Sequence, residues 1–144
     1  MRCFVIDASV IIKWIFPEKT EEEHLPQAIS LLQIIKQNKV KVLQPPHWLA
    51  EVAAVIVRLQ PKIAGETIEL LNMMEFPVIN EPKIYQIACQ LSERFKHHLF
   101  DTLYHAVAIF SDNTQFITAD NQYYQKAAAQ GAILRLADFS IFED

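Results

Sequence analysis

Glycine is nearly absent: Gly65 and Gly131 are the only two in 144 residues. A P-loop, a G-x-G-x-x-G dinucleotide turn and a G-x-S-x-G nucleophile elbow each need several glycines at close spacing, so all three are excluded. Cysteine is as scarce. Cys3 and Cys89 lie far apart, each in an apolar stretch, and read as two buried, reduced thiols. No apolar run approaches the roughly 18 residues of a membrane helix. The start "MRCFVIDASV" has no h-region followed by a small-residue cleavage site, so no secretory leader and a cytoplasmic location are expected. Positive charge is not in excess either. The formal net charge is −4, whereas nucleic-acid binders are usually basic. Repeats, low-complexity tracts and linkers are missing.

What is present is apolar residue, 51% of the chain, enough for one ordinary domain over residues 1–144. The hydrophobic pattern alternates between short strands and helices. Residues 2–6, "RCFVI", read as a first strand, and "SVIIKWIF" as a short helix closed by Pro17. The charged "EKTEEEH" leads into a helix over about 25–38, then "KVKVLQP" forms a second strand. Pro45-Pro46 opens a helix to about Leu59, Pro61 another to about Glu75, and Pro82 a third to about Lys96, proline being tolerated in a first turn. "FPVI" reads as a third strand, residues 101–112 as a helix, "TQFIT" as a fourth strand, "DNQYYQKAAAQG" as a helix ended by Gly131, and "AILRL" as a fifth strand. This alternation predicts an α/β fold with a mainly parallel sheet covered on both faces. Ligands of such sheets bind beyond the carboxyl ends of the strands, where strand order reverses.

Four carboxylates lie among apolar residues. Asp7 ends the first strand in "FVIDASVII". Glu51 interrupts "PPHWLAEVAAVIVRL". Asp101 opens "FDTLYHAVAIF", and Asp120 follows the fourth strand in "FITADNQYY". Each has a plainer explanation. Asp101 could favour a helix amino terminus, Asp120 could be an N-cap, and Glu51 could face solvent. Asp7 is hardest to explain that way, because an acid at the end of a parallel strand caps nothing of its own strand. Acids in apolar surroundings are costly unless paired or metal-bound. A cluster of them would take up protons unless a cation intervened. Oxygen-only ligation indicates a hard cation, Mg²⁺ or Mn²⁺, and such a cluster serves attack of water on a phosphodiester. Setting the four acids aside leaves the rest of the chain formally neutral, so a loaded site need not repel nucleic acid. Lys13, Arg58, Lys62, Arg94 and Lys96 are candidate phosphate contacts, although each also suits a solvated surface.

The ordered set "FVIDASVIIKWIFPE", "PPHWLAEVAAVIVRL", "FDTLYHAVA" and "FITAD" resembles PIN-domain nucleases, in particular the small VapC-type toxins of bacteria and archaea. The likeness spans essentially the whole chain. It implies a three-layer α/β/α fold whose five-stranded parallel sheet has the order 3-2-1-4-5. It implies Mg²⁺- or Mn²⁺-dependent cleavage of RNA by a dimeric toxin, held inactive by a cognate antitoxin. Carried over by position, Asp7, Glu51, Asp101 and Asp120 are the metal-site acids, with Ser9 and Thr118 as supporting hydroxyls. Ser9 could also be the N-cap of "VIIKWIF". The position three after Glu51 departs from the family, being Ala54 where asparagine is frequent. His105, four residues after Asp101, is a candidate substrate contact against a packed histidine, and Asn121 a candidate support for a metal-bound water. His97 and His98 read as surface histidines. Trp14, Phe16 and Trp48 are candidates for a partner surface, with core burial as the alternative.

Two other readings compete. One is a PIN-like module that binds RNA or protein without cutting. The other is a phosphate-transferring α/β domain. A haloacid dehalogenase-like phosphatase needs a second Asp where Ser9 stands, and a receiver domain needs an Asp after strand three, which "FPVINEP" lacks.

Overall fold

A computed structural model describes residues 1–18 and 23–142. Most of "EKTEEEH" lies outside the described residues. The chain runs β1 (Cys3–Ile6), α1 (Ala8–Ile15), α2 (Leu25–Lys36), β2 (Lys41–Val42), α3 (Trp48–Leu59), a 3₁₀ turn (Pro61–Ile63), α4 (Ala64–Asn72), α5 (Pro82–Phe95), α6 (Leu99–Phe110), β3 (Thr114–Thr118), α7 (Asn121–Ala127) and β4 (Ile133–Arg135). The strands form one parallel sheet in the order β2-β1-β3-β4. Phe4, Val5 and Ile6 of β1 and Phe116 and Ile117 of β3 are buried at the sheet centre, as expected for strands covered on both faces. The path leaves β1 toward β2 and then returns past β1 to β3. Right-handed crossovers therefore place α1 and α2 on one face and the helices between β2 and β4 on the other. The order reverses at β1 and β3, so the crevice of this fold lies at their carboxyl ends.

Among the described residues the sheet has four strands, not five. The strand expected at "FPVI" is reduced to one parallel bridge between Gln44 and Val78. There Gln44 N–H donates to Pro77 O, and Ile79 N–H donates to Gln44 O, both at 2.9 Å. Another rung on either side would need an N–H from Pro77 or Pro46, and proline has none. A proline also ends the ladder between β2 and β1. Lys41 N–H donates to Arg2 O and Leu43 N–H to Phe4 O, so the next donor would be Pro45. The buried Gln44 carboxamide substitutes for it. Gln44 Oε1 accepts from Ile6 N–H at 2.9 Å, and Nε2 donates to Ile6 O at 3.0 Å. The backbone just before Asp7 is thereby held by a side chain.

Helix ends differ from the expectation by a turn or less. α6 starts at Leu99, before Asp101, because His98 is its N-cap and accepts the Phe100 N–H at 3.1 Å. α3 starts at Trp48, after a turn through the two prolines. Gly131, at φ +80°, follows the last helical turn as expected. Several other left-handed positions fall on residues with a side chain, among them Lys96 at the end of α5 and Ala132.

The cysteine expectation is corrected. Cys89 is exposed on α5 and Cys3 only half-buried, so the two thiols are free but not both in the core. An amphipathic helix carries its polar face through apolar-looking sequence, and Cys89 falls on that face. Phe16 and Trp48 are buried in the core and offer no partner surface. Trp14 is half-buried, its indole N–H donating to Ala28 O at 2.8 Å. No helix among the described residues is long and apolar enough to cross a membrane.

Candidate metal centre

Asp7 is the residue after β1, beside the end of β3. It is buried, 8% exposed. Its backbone N–H extends the sheet to Ile117 O at 3.0 Å. Its Oδ2 accepts from the Ser9 hydroxyl at 2.6 Å and from the Thr118 hydroxyl at 2.9 Å. The two hydroxyls are themselves held. Ser9 Oγ accepts from Ala119 N–H at 3.1 Å, and Thr118 Oγ1 from Asp120 N–H at 3.0 Å. Ser9 and Thr118 thus both hold the Asp7 carboxylate. Ser9 is not an N-cap, however. α1 begins at Ala8 and its cap position is Asp7, so Ser9 lies inside the first turn with its hydroxyl turned to the carboxylate.

Glu51, in the first turn of α3, and Asp101, in the first turn of α6, each bring a carboxylate to Asp7. One oxygen from each of the three lies within 4.8 Å of the others. Asp120 is the N-cap of α7, its Oδ1 accepting Tyr123 N–H at 3.1 Å. It groups with Asp101 and His97 rather than directly with Asp7 and Glu51. The four acids and His97 therefore form two overlapping trios joined at Asp101, not one equal cage.

The electrostatics follow from burial. Desolvation pushes the Asp7 carboxyl up to about 6, with Asp101 and Asp120 adding to the rise and the two hydroxyl bonds opposing it. Desolvation pushes Glu51 up to about 7, with Asp7 and Asp101 adding. The Tyr104 hydroxyl lies near enough to Glu51 to favour its charged form. Yet that hydroxyl is buried and its geometry falls short of a hydrogen bond, so the contact is weak. Burial and the nearby acids keep Tyr104 protonated. These carboxylates repel one another, and among the described residues no lysine or arginine pairs with them, so the all-oxygen donor set fits a hard divalent cation.

Residues that sequence reasoning passed over surround the trio. His47 Nε2 is 2.7 Å from Phe100 O and 3.6 Å from Glu51 Oε1. Burial lowers its pKa, so the neutral ring donates Nε2–H to the carbonyl and ties α3 to α6. His97, expected at the surface, is 12% exposed and sits 3.0 Å from Asp101 Oδ2 and 3.9 Å from Asp120 Oδ2. Each histidine lies four residues before an acid, a spacing visible in the sequence. Lys126, 3.2 Å from His97 Nδ1, and Gln44 had no such signal.

Other candidates fall elsewhere. His105 is fully buried. Its Nε2 pairs with Gly131 O at 2.8 Å and its Nδ1 with Tyr123 OH at 2.7 Å, so it is a core histidine with no free nitrogen for a substrate. Sharing a helix with Asp101 did not make it share the site, because β3 and α7 cover that part of α6. Asn121 is exposed at the first position of α7. Lys13 is half-buried on α1, whereas Arg58, Lys62, Arg94 and Lys96 are exposed. Among the described residues, no hydrogen bond or ion pair joins these five to the acids, and Arg94 bonds Gln130 instead. Ala54 is exposed on α3.

Comparison with known proteins agrees with this fold. The chain superposes on a toxin–antitoxin complex from Klebsiella pneumoniae with a TM-score of 0.64 and 16% identity, covering 94% of this chain and 98% of that one. It superposes on VapBC-1 from nontypeable Haemophilus influenzae with a TM-score of 0.63 and 15% identity, covering 94% and 99%. At these identities the likeness is one of fold. Curated proteins gave no significant match. The PIN domain family model matches residues 4–129, which takes in all four acids and the strands that carry Asp7 and Asp120, and the chain belongs to the PIN domain family.

Proposed function

We propose that this chain is a metal-dependent endoribonuclease that hydrolyses RNA phosphodiester bonds, and the toxin of a type II toxin–antitoxin pair. The observation that carries the reading is the convergence of Asp7, Glu51 and Asp101 within 4.8 Å at the point where strand order reverses. Family membership supports nuclease chemistry, and the two structural neighbours, both described as toxin–antitoxin assemblies, support an antitoxin partner. A homodimer acting in the cytoplasm completes the proposal.

Asp7, Glu51 and Asp101 would hold Mg²⁺ or Mn²⁺, with Asp120 at the rim. When bound, such a cation supplies charge stabilisation at the phosphate and activation of water. The protein's own groups do the positioning. Ser9 and Thr118 aim the Asp7 carboxylate. The β1 backbone, paired on both sides, keeps it from moving. His47 fixes the separation of the helices that carry Glu51 and Asp101. No serine or cysteine is activated as a nucleophile there, so water attacks.

The test is cleavage of RNA by the purified protein with Mg²⁺ or Mn²⁺. Asp7→Asn should lower the rate by at least about 100-fold, the scale of losing a main electrostatic group. Unchanged cleavage by the pure variant would sink the assignment. RNA or antitoxin-peptide binding without cleavage under any divalent metal would instead support a non-cutting module.

A further inference from the structure

A second donor set, His97, Asp101 and Asp120, satisfies the same distance limit as the first. Distance alone would admit a cation there, with His97 as a nitrogen ligand. The hydrogen bonds around the ring decide otherwise. Lys126 Nζ lies 3.2 Å from His97 Nδ1. A lysine ammonium can only donate, so Nδ1 must accept and carries no proton. With Nδ1 accepting, the ring's N–H is the one at Nε2. That nitrogen faces Asp101 Oδ2 at 3.0 Å, with Asp120 Oδ2 at 3.9 Å. A nitrogen that holds its proton has no lone pair for a metal.

The ring is firmly mounted. Lys96, in the left-handed region at φ +53°, ends α5 and turns the chain toward α6. His97 N–H donates to Ser92 O at 3.2 Å, and the Ser92 hydroxyl donates to His97 O. The ring packs edge-on against Tyr123, with centroids 4.8 Å apart. Three elements therefore meet at one residue: α7 at its ring through Lys126, the last turn of α5 at its backbone through Ser92, and α6 at its ring through Asp101.

We propose that His97, its tautomer set by Lys126, is a positioning residue that orients Asp101 toward a cation held by Asp7, Glu51 and Asp101, and is not itself a ligand. This rests on the metal-site reading above. It makes a definite choice between the two overlapping trios. Asp101 spends one oxygen on the His97 N–H and keeps its remaining lone pairs for the cation.

The experiment uses the full chain and two readouts other than activity. The first is ¹⁵N–¹H NMR of the imidazole rings, without metal and at saturating Mg²⁺. His97 should show the Nε2–H tautomer in both states. An Nδ1–H tautomer, or loss of the Nε2 proton on adding Mg²⁺, overturns the proposal. The second is Mn²⁺ affinity from the EPR signal of free Mn²⁺. His97→Ala should weaken binding by about 10-fold, the usual scale for a group that orients a ligand. His97→Gln restores an N–H donor near Nε2 and should recover affinity to within about 3-fold of the native protein. A glutamine variant no better than the alanine one overturns the proposal, and circular dichroism of both variants checks that each is folded. Absence of Mn²⁺ binding to the native protein, or binding untouched by Asp7→Asn, refutes the metal-site reading and this proposal together. Intact Asp7-dependent binding with a ligating His97 refutes this proposal alone.

Discussion

Asp7→Asn should stabilise the metal-free protein while removing its cation site. Asparagine is nearly the same size, and its carbonyl oxygen can accept the hydroxyls of Ser9 and Thr118 that now reach Oδ2. What it lacks is charge. Burial, with smaller contributions from Asp101 and Asp120, raises the Asp7 carboxyl from 3.8 to about 6. Between those values the folded protein holds a proton that the unfolded chain has released. Stability therefore falls as pH rises through this window, and the full loss is present above it. The displacement corresponds to about 3 kcal/mol, an upper figure for one group. For a chain of this length that is about 6–12 °C in Tm. Thermal unfolding in EDTA from pH 4 to pH 8 is the assay. The variant should melt above the native protein at pH 8, with the gap nearly closing at pH 4. Added Mg²⁺ should reverse the order once it exceeds Kd about 1,000-fold, which adds about 4.1 kcal/mol to the native protein only. A gap independent of pH, or a variant less stable at pH 8, would refute the account of Asp7 as an uncompensated buried charge.

Gln44→Leu should cost about 2–5 kcal/mol, because it strands the buried N–H and C=O of Ile6 that the carboxamide satisfies. Urea unfolding measures it, and a loss under about 1 kcal/mol would show that the backbone finds other partners. Gly131→Ala should cost about 1–3 kcal/mol in the same assay, although its Cβ would meet nothing within 4 Å, because φ +80° with ψ −176° suits glycine alone. A thiol reagent should modify the exposed Cys89 faster than the half-buried Cys3, and equal rates in the folded protein would contradict the outward face assigned to α5.

Much of the site was legible because charge in an apolar context is a strong signal. Asp7 at the end of β1 and Asp120 after β3 are conspicuous for that reason, and the switch-point rule placed both in one crevice. Period alone misled at His105. Four residues along a helix does put a side chain near Asp101, but whether that stretch of α6 is open depends on what packs over it. Here Tyr123 and Gly131 do. His97 was discounted through its neighbour His98, yet the turn after α5 separates the two, sending His97 toward Asp101 and leaving His98 to cap α6. The "FPVI" strand failed for a local reason that was in view: its own Pro77, and Pro46 opposite it, remove the donors on both sides of the single bridge.

By itself, the amino-acid order determined the alternation of strands and helices, the parallel sheet and the identity of the acids. These depend on hydrophobic period and on residues a few positions apart. The tertiary structure alone decided which acids lie together. It placed Asp7, Glu51 and Asp101 together, set Asp120 beside them through Asp101 and His97, and brought Lys126 to the imidazole. Separation along the chain carries no information about direction across a crevice. The direction is fixed by how α3, α6 and α7 pack on a sheet whose central strand ends at Asp7.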